Sequence, residues 1–491
     1  MVAEHEAKAL LREAGIAVPR GVLSLAQAST LTPPLVLKAY GPTLLHKSDA
    51  GAVALGLTDV SSAAADMRAR LGDRIDGFLV EEQVPAGVEL IVGLVRDPGF
   101  GPVLVTGLGG VWTEVLDDTA LHLCPITAGD ARAMLTSLRG SPLLYGARGT
   151  PAVDVDALVK LLLTIGGPGG LWERLDLGEF EINPLIASPA GAVAVDARYL
   201  PGQATPAPAV RDADFSALFE PRAVAVVGAS TSRPNFGNMF LEFYKAAGIP
   251  LVAVHPTAAE IGGVPAVPSL RDAEVDYALV AVPAERCADV LRDAGGVPYV
   301  QVMSGGFGEA GRADLERDLA DAVPEGTRLL GPNCMGVYCP RGRQTFVGGG
   351  IGPPGSIALI SQSGGLAGEV VKVGERRGLA FSRVATVGNS ADVTPAELLR
   401  WLATDPETDA IGLYLEDPRD GRALFDAIAA TPKPVVLLVG GRTAEGQRAA
   451  ASHTGGLVSD ARVWAAMAEQ AGAALVTSQD DLIGVLSYAQ H

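Results

Sequence analysis

Positive charge, cysteine and histidine are all scarce in this chain. Lys and Arg number 38 against 56 Asp and Glu, a formal net charge of -18. That balance excludes a nucleic-acid binder, which needs a basic patch or excess. It also means that any anionic ligand must be held by local features, such as helix starts and isolated Lys or Arg. The four cysteines, Cys124, Cys287, Cys334 and Cys339, form no C-x-x-C pair, so neither a zinc site nor a disulfide framework is indicated and a reducing, cytoplasmic compartment fits. No apolar run approaches the length of a membrane span, and no apolar segment of a signal peptide follows the charged start Met1-Val2-Ala3-Glu4-His5-Glu6. What remains is a globular composition: 491 residues, 48% apolar, with 60 Gly and 34 Pro for tight turns. The length suggests about three or four domains.

One of the six histidines stands in an unusual setting. His453 lies in Ala449-Ala450-Ala451-Ser452-His453-Thr454-Gly455-Gly456, after the apolar run Pro434 to Val439. Small neighbours leave an imidazole accessible and its backbone free to travel, and an accessible ring nitrogen can attack a phosphoryl group and pass it on. A surface loop that happens to hold a histidine is the plainer reading of this stretch alone. The rest of the chain weighs against it.

Glu4 to Ala14 has the period of an amphipathic helix stopped by Gly15. Pro34 to Ala39 is a short apolar strand carrying Lys38, followed by the polar loop Leu45-His46-Lys47-Ser48-Asp49. Phe78 to Val84 is a strand running into Glu81 and Glu82. Thr106-Gly107-Leu108-Gly109-Gly110 is a Gly-rich turn entering a helix, an arrangement that presents free N–H groups and a positive dipole end to a phosphate. Glu179 to Leu185 and Ala192 to Arg198 read as paired strands carrying Asn183 and Asp196, oxygen ligands of the kind Mg²⁺ takes when it is shared with nucleotide phosphates.

Beyond the Pro-, Ala- and Gly-rich stretch Leu200 to Val210, strands alternate with helices, which predicts a doubly wound α/β sheet. Val224 to Val227 enters a turn with Gly228 and Ser230, but no full G-x-G-x-x-G follows, so NAD is a poor fit. Gly331-Pro332-Asn333-Cys334 ends a later strand. Ser361-Gln362-Ser363-Gly364 leads another strand into a helix, a second anion site with Ser361 and Ser363 as hydroxyl donors. Ile411 to Leu415 ends on Glu416.

These residues together carry a resemblance. Leu45-His46-Lys47-Ser48-Asp49, Gly107-Leu108-Gly109-Gly110 and Glu181-Ile182-Asn183-Pro184-Leu185 are similar to the ATP-grasp half of NDP-forming acyl-CoA synthetases, the superfamily of succinyl-CoA synthetase and ADP-forming acetyl-CoA synthetase. The later segments resemble its CoA-binding and ligase domains. The resemblance implies a multidomain α/β chain. Residues 1–200 are an ATP-grasp region of two subdomains, 201–215 a linker, 216–345 a Rossmann-like CoA-binding domain, and 346–491 a flavodoxin-like ligase domain with the phosphohistidine loop.

The implied activity is an acid–thiol ligase that joins a carboxylic acid to CoA with ATP. It releases ADP and proceeds through an acyl phosphate and phospho-His453. ATP/ADP, Mg²⁺ and CoA are the implied cofactors and substrates, with no nucleic acid, no membrane and a homodimer as the expected assembly. His453 is the carrier, Glu416 its partner at the acyl–CoA site and Glu181 its partner at the nucleotide site. His46 is either a second phosphoryl carrier or a phosphate-binding neighbour of Lys47. Lys38, Glu82, Gly109 and Gly110 fall to the nucleotide; Gly228, Ser230, Asn333, Cys334, Ser361, Ser363 and Gly364 to CoA and phosphate; Asn183 and Asp196 to the metal.

The chain departs from the family pattern at Val439, where a lysine commonly stands before the Gly-Arg pair, and at His491, where many fused relatives continue into another flavodoxin-like domain. Two other classes compete with the synthetase reading: a CoA- or nucleotide-binding regulatory protein without turnover, and an ATP-grasp ligase joining an acid to an amine. The identity of the acid is not written in any of these motifs.

Overall fold

Short unbroken aliphatic runs bury both faces only in a parallel sheet covered by helices. Val224–Val227 and Ile357–Ser361 do so in the computed structural model, where every residue of both strands is buried. The structure describes residues 2–41, 44, 47, 49–109, 118–147, 149–202, 211–441 and 460–491. His46, Gly110 and the loop of His453 lie outside the described residues. The chain divides into two units, Met1–Asp97 with Gly101–Pro206, and Pro98–Phe100 with Ala207–His491.

The first unit carries two antiparallel sheets. One orders its strands Gly21–Val22, Gly77–Glu82, Leu35–Tyr40, Val53–Leu57. The other runs Ala197–Pro201, Leu177–Ser188, Val88–Asp97, Gly101–Leu108, Thr119–Leu123, with Gly191–Ala194 also paired to Leu177–Ser188. The helix Glu4–Glu13 has Glu4 and Glu6 in its first turn and Arg12 in its last, the arrangement its dipole favours. Its buried stripe is Glu4, Ala7, Lys8 and Leu11, a helical period in which two of the positions are charged.

The second unit carries two mostly parallel sheets. The first follows the order Glu260–Ile261, Val264–Val267, Leu251–Val254, Val224–Val227, Tyr277–Val280, Tyr299–Val302, Arg328–Leu330. The second follows Val337–Tyr338, Phe381–Thr386, Ile357–Ser361, Ala410–Leu415, Val435–Val439, Ala474–Val476. Strand order reverses at Val224–Val227 and again at Ile357–Ser361, because each has its next two parallel strands on opposite sides. Crevices form beyond the carboxyl ends of such strands, and the segments singled out in the sequence follow those ends. Among the described residues, no helix is long and apolar enough to cross a membrane.

Candidate functional site

In the first unit, Leu35–Tyr40 and Gly77–Glu82 pair so that Lys38 stands opposite Leu79. Strand side chains alternate in direction. Glu81 is consequently directed at Lys38, 3.1 Å away, and Glu82 is not. Glu82 instead accepts from the backbone N–H of Thr32 at 3.0 Å and from Arg20 at 3.2 Å. Lys38 is buried, and its ammonium also donates to Glu4 Oε1 at 2.7 Å and to the Val195 carbonyl at 2.6 Å. Lys8 lies 2.6 Å from Glu81, and Lys47 lies 3.0 Å from Asp196 and pairs with Glu4. Burial opposes the charge on Glu4, but Lys38, Lys8 and Lys47 outweigh it and hold that carboxyl well below the usual range. Burial likewise opposes the charge on Lys38, and Glu4 and Glu81 reverse the effect and raise it. Asp196 is raised, by burial first and by Glu4 second. Glu4, Lys8 and Glu81 escaped the sequence reading. Their one signal is the pair of charges on the apolar stripe of the first helix.

Asn183 and Asp196 are cross-strand neighbours: the Asn183 N–H donates to the Asp196 carbonyl at 3.2 Å. Asn183 Nδ2 donates to Glu181 Oε1 at 3.0 Å, so the amide oxygen is turned away from that bond. Glu181 and Asn183 carry hard oxygen atoms beside Asp196, whose carboxylate meets the Lys47 ammonium. This donor chemistry suits Mg²⁺, which needs only one or two carboxylates besides phosphate and water, with Lys47 giving way to it. Gly109 is held by its N–H to the Glu89 carbonyl at 2.8 Å. A Cβ there would lie 2.8 Å from the Leu90 backbone, so only glycine fits.

In the second unit, the ends of the two sheets enclose a cavity of about 210 Å³ lined by Met303, Asn333, Cys334, Met335, Gln362, Ser363, Gly364 and Gly365. Ser363 caps the helix Gly364–Arg376 through its hydroxyl, which accepts from the Leu366 N–H at 3.3 Å. Ser361, fully buried, donates to the Ser363 carbonyl at 2.7 Å and shapes the turn. A Cβ on Gly364 would sit 2.3 Å from Cγ of Met335, so any larger residue there must displace that side chain. Cys334 is buried, its thiol pushed up to about 12 by desolvation and directed at the carbonyls of Val302 and Leu330. A buried neutral thiol held in this way is not set up to act as a nucleophile. Gly228 and Ser230 belong to a different turn, where the Ser230 hydroxyl accepts from the N–H groups of Ser232 and Arg233 at 3.2 and 3.3 Å.

Glu416 is positioned by residues that the sequence did not single out. Its N–H donates to Gln362 Oε1 at 2.5 Å, and Tyr414 donates its hydroxyl hydrogen to Glu416 Oε1 at 2.9 Å. Asn333, with φ of 60°, donates to Asn389 Oδ1 at 3.4 Å. The Asn389 amide in turn donates to Glu309 at 2.5 Å and Glu316 at 2.7 Å. Burial works against the charge on Glu309, but the bonds from Asn389 and from the Gly306 N–H prevail and lower its carboxyl below the ordinary range. Arg419 donates to the Asn389 carbonyl. The Asn333 turn and the loop after Glu416 thus share one network. Local sequence carries no sign of it, since its members come from a helix, a short helical turn and loops far apart in the chain.

Comparison with known proteins follows the same divisions. The ATP-grasp domain model matches residues 1–199, the CoA binding domain 222–340, and the succinyl-CoA ligase like flavodoxin domain 354–489. The ADP-forming acetate–CoA ligase II of Archaeoglobus fulgidus is 33% identical over 509 residues, covering 99% of this chain and 74% of that protein. A trans-feruloyl-CoA synthase from an unknown prokaryotic organism is 38% identical over 216 residues, 41% of this chain and 30% of its own length. The dinucleotide-forming acetyl-coenzyme A synthetase 1 of Ca. Korarchaeum cryptofilum, solved in complex with phosphate and ADP, superposes with a TM-score of 0.53 at 33% identity. The match covers 56% of this chain and 62% of that one. With full-length similarity and all three domain types in one chain, the protein belongs to the ADP-forming acyl-CoA synthetases, ligases that form acid–thiol bonds.

Proposed function

We propose that this chain makes acyl-CoA from a carboxylic acid, CoA and ATP, with release of ADP and phosphate. The observation that carries the reading is the cavity between the Asn333–Met335 turn and the Ser363-capped helix start, with Glu416 tied to its wall through Gln362. An acid in this cavity has its carboxylate near backbone N–H groups at the helix start, where negative charge is stabilised. The carboxylate oxygen attacks phospho-His453. The P–N bond breaks, a P–O bond forms, and the imidazole is released. The CoA thiol then attacks the acyl carbon, its proton is lost, and the C–O bond to phosphate breaks.

Glu416 supports His453 by accepting a hydrogen bond from its other ring nitrogen, which selects the reactive tautomer. At the nucleotide site Glu181 takes that role, with Gly109 and Gly110 at the phosphates. The Lys38 ammonium is instead held by Glu4, Glu81 and the Val195 carbonyl, and Glu82 by Thr32 and Arg20. His46 stands beside Lys47 there as a second carrier or a phosphate contact. When bound, Mg²⁺ on Asn183 and Asp196 neutralises phosphate charge. Gly228, Ser230, Asn333 and Cys334 place CoA, with Ser361 shaping the turn.

The acid in this proposal is a monocarboxylate. Met303 and Met335 are the apolar walls of the cavity, and among the described residues no Lys, Arg or His lines it to neutralise a second carboxylate. The curated relatives named above act on acetate and on an aryl acid, and adaptable methionines suit an uncharged acyl group of either kind. A homodimer in the cytoplasm completes the reading. Terminally labelled ATP with Mg²⁺ should place acid-labile, base-stable phosphate on a histidine of the wild type, and His453→Ala should make no acyl-CoA. Full synthesis by that variant refutes the relay.

A further inference from the structure

Lys38 was expected to offer its ammonium to a nucleotide phosphate, yet its three N–H groups are already placed. They meet Glu4 Oε1 at 2.7 Å, Glu81 Oε2 at 3.1 Å and the Val195 carbonyl at 2.6 Å. Lys8 is enclosed in the same way by Glu4 at 2.8 Å and by both oxygens of Glu81 at 2.6 and 2.8 Å. One oxygen of Glu4 thus serves two buried lysines, and its other oxygen accepts from Lys47. The Lys47 ammonium also lies 3.0 Å from each carboxylate oxygen of Asp196.

Exposure divides this cluster. The side chains of Lys8 and Lys38 are 2% and 5% exposed, whereas Lys47 is 15% and Asp196 29%. Lys47 and Asp196 form the open edge, and the other groups stand behind them. A buried array of ion pairs gives little net stability over an apolar core of the same shape, so its arrangement calls for a use. Its members come from the first helix, two strands, the Lys47 loop and the residue opposite Asn183.

We propose that Glu4 is a positioning residue of the nucleotide site, holding the Lys47 ammonium beside Asp196 against a fixed Lys38 so that an arriving phosphate meets an oriented cation. The proposal rests on the reading of this unit as the nucleotide-binding half. Binding exchanges one acceptor of Lys47 for a phosphate oxygen, and no covalent bond changes. Glu4 acts through Lys47 and touches no reacting atom. The first helix, which carries no motif of its own, thereby becomes part of the site.

A double-mutant cycle tests this. Mg-ADP is titrated calorimetrically into the full chain carrying Glu4→Gln, Lys47→Met or both, with CoA binding on the same samples as the check of folding. Glu4→Gln should weaken Mg-ADP binding by about tenfold, the loss expected for one charge-assisted contact. On the Lys47→Met background the same change should cost less than about twofold. Wild-type affinity in Glu4→Gln, or losses that add in full in the double variant, would overturn the positioning role. Should Glu4→Gln fail to fold, Glu4→Asp keeps the charge but is too short to span Lys38 and Lys47, and the same cycle and criteria apply. A wild-type chain that binds CoA but not Mg-ADP would refute the nucleotide-site reading itself, an outcome distinct from equal binding by wild type and variant.

Discussion

The side-chain oxygen of Gln362 accepts hydrogen bonds from the backbone N–H groups of both Glu416 and Asp417, at 2.5 and 2.9 Å, while its amide donates to the Asp417 carbonyl at 2.7 Å. One side chain at the end of Ile357–Ser361 therefore sets the loop at the end of the neighbouring strand. Gln362→Leu leaves these buried backbone groups without partners, at about 1–3 kcal/mol for each unsatisfied group. Acyl-CoA synthesis should fall at least about tenfold. The melting temperature should drop as well. Steady-state rates and calorimetry on the same preparation check both effects.

Gly388 has φ of 51°, and a Cβ there would lie 2.2 Å from the Pro332 carbonyl and 2.3 Å from that of Asn333. Both obstacles are backbone and cannot rotate aside. Gly388→Ala should lose about 1–3 kcal/mol of stability, as strained or overpacked sites do. It should also raise KM for CoA by displacing the Asn333 turn. Gly364→Ala meets only the Met335 side chain. It should fold normally and narrow the range of acids accepted. A panel of acids from short aliphatic to aryl separates the two variants.

The lowered carboxyl of Glu309 makes stability depend on acid pH in a stated direction. A carboxyl whose folded-state value lies below its unfolded value of 4.5 contributes fully above that value. The contribution is lost as pH falls through the depressed folded value. Denaturant unfolding should therefore find wild type more stable than Glu309→Gln at pH 6. The gap should close as the pH is lowered through and below about 4.

The spent nucleotide should be ADP. Transfer of the terminal phosphoryl group leaves the remaining phosphates intact, and nothing in the chain resembles the Ser/Thr/Gly-rich loop and lysine of adenylate-forming enzymes. Chromatography after complete turnover checks this; stoichiometric AMP with pyrophosphate would contradict it.

Label from the terminal phosphate of ATP should separate the two histidines. If His46 is an obligatory carrier, His46→Ala blocks labelling of His453 from ATP but permits it from acyl-CoA and phosphate. If His46 only binds phosphate, ATP still labels His453, more slowly.

Sequence alone determined the order of the three domain types and the strand-to-turn-to-helix junctions. These are written locally: a buried strand needs an unbroken aliphatic run, and a turn that enters a helix needs glycine or a capping hydroxyl. Gly228, Ser363 and Gly364 were legible for that reason. Tertiary structure decided which side chains meet. Glu81 and not Glu82 reaches Lys38, because strand pairing sets which parity faces inward. Glu4 joins Lys38 and Lys47 because a helix packs a charged stripe against a sheet. Asn389 gathers Asn333, Glu309, Glu316 and Arg419 from a helix, a short helical turn and separate loops. Such contacts depend on strand register and sheet order, which arise only when distant segments pair, and no local period or spacing encodes them.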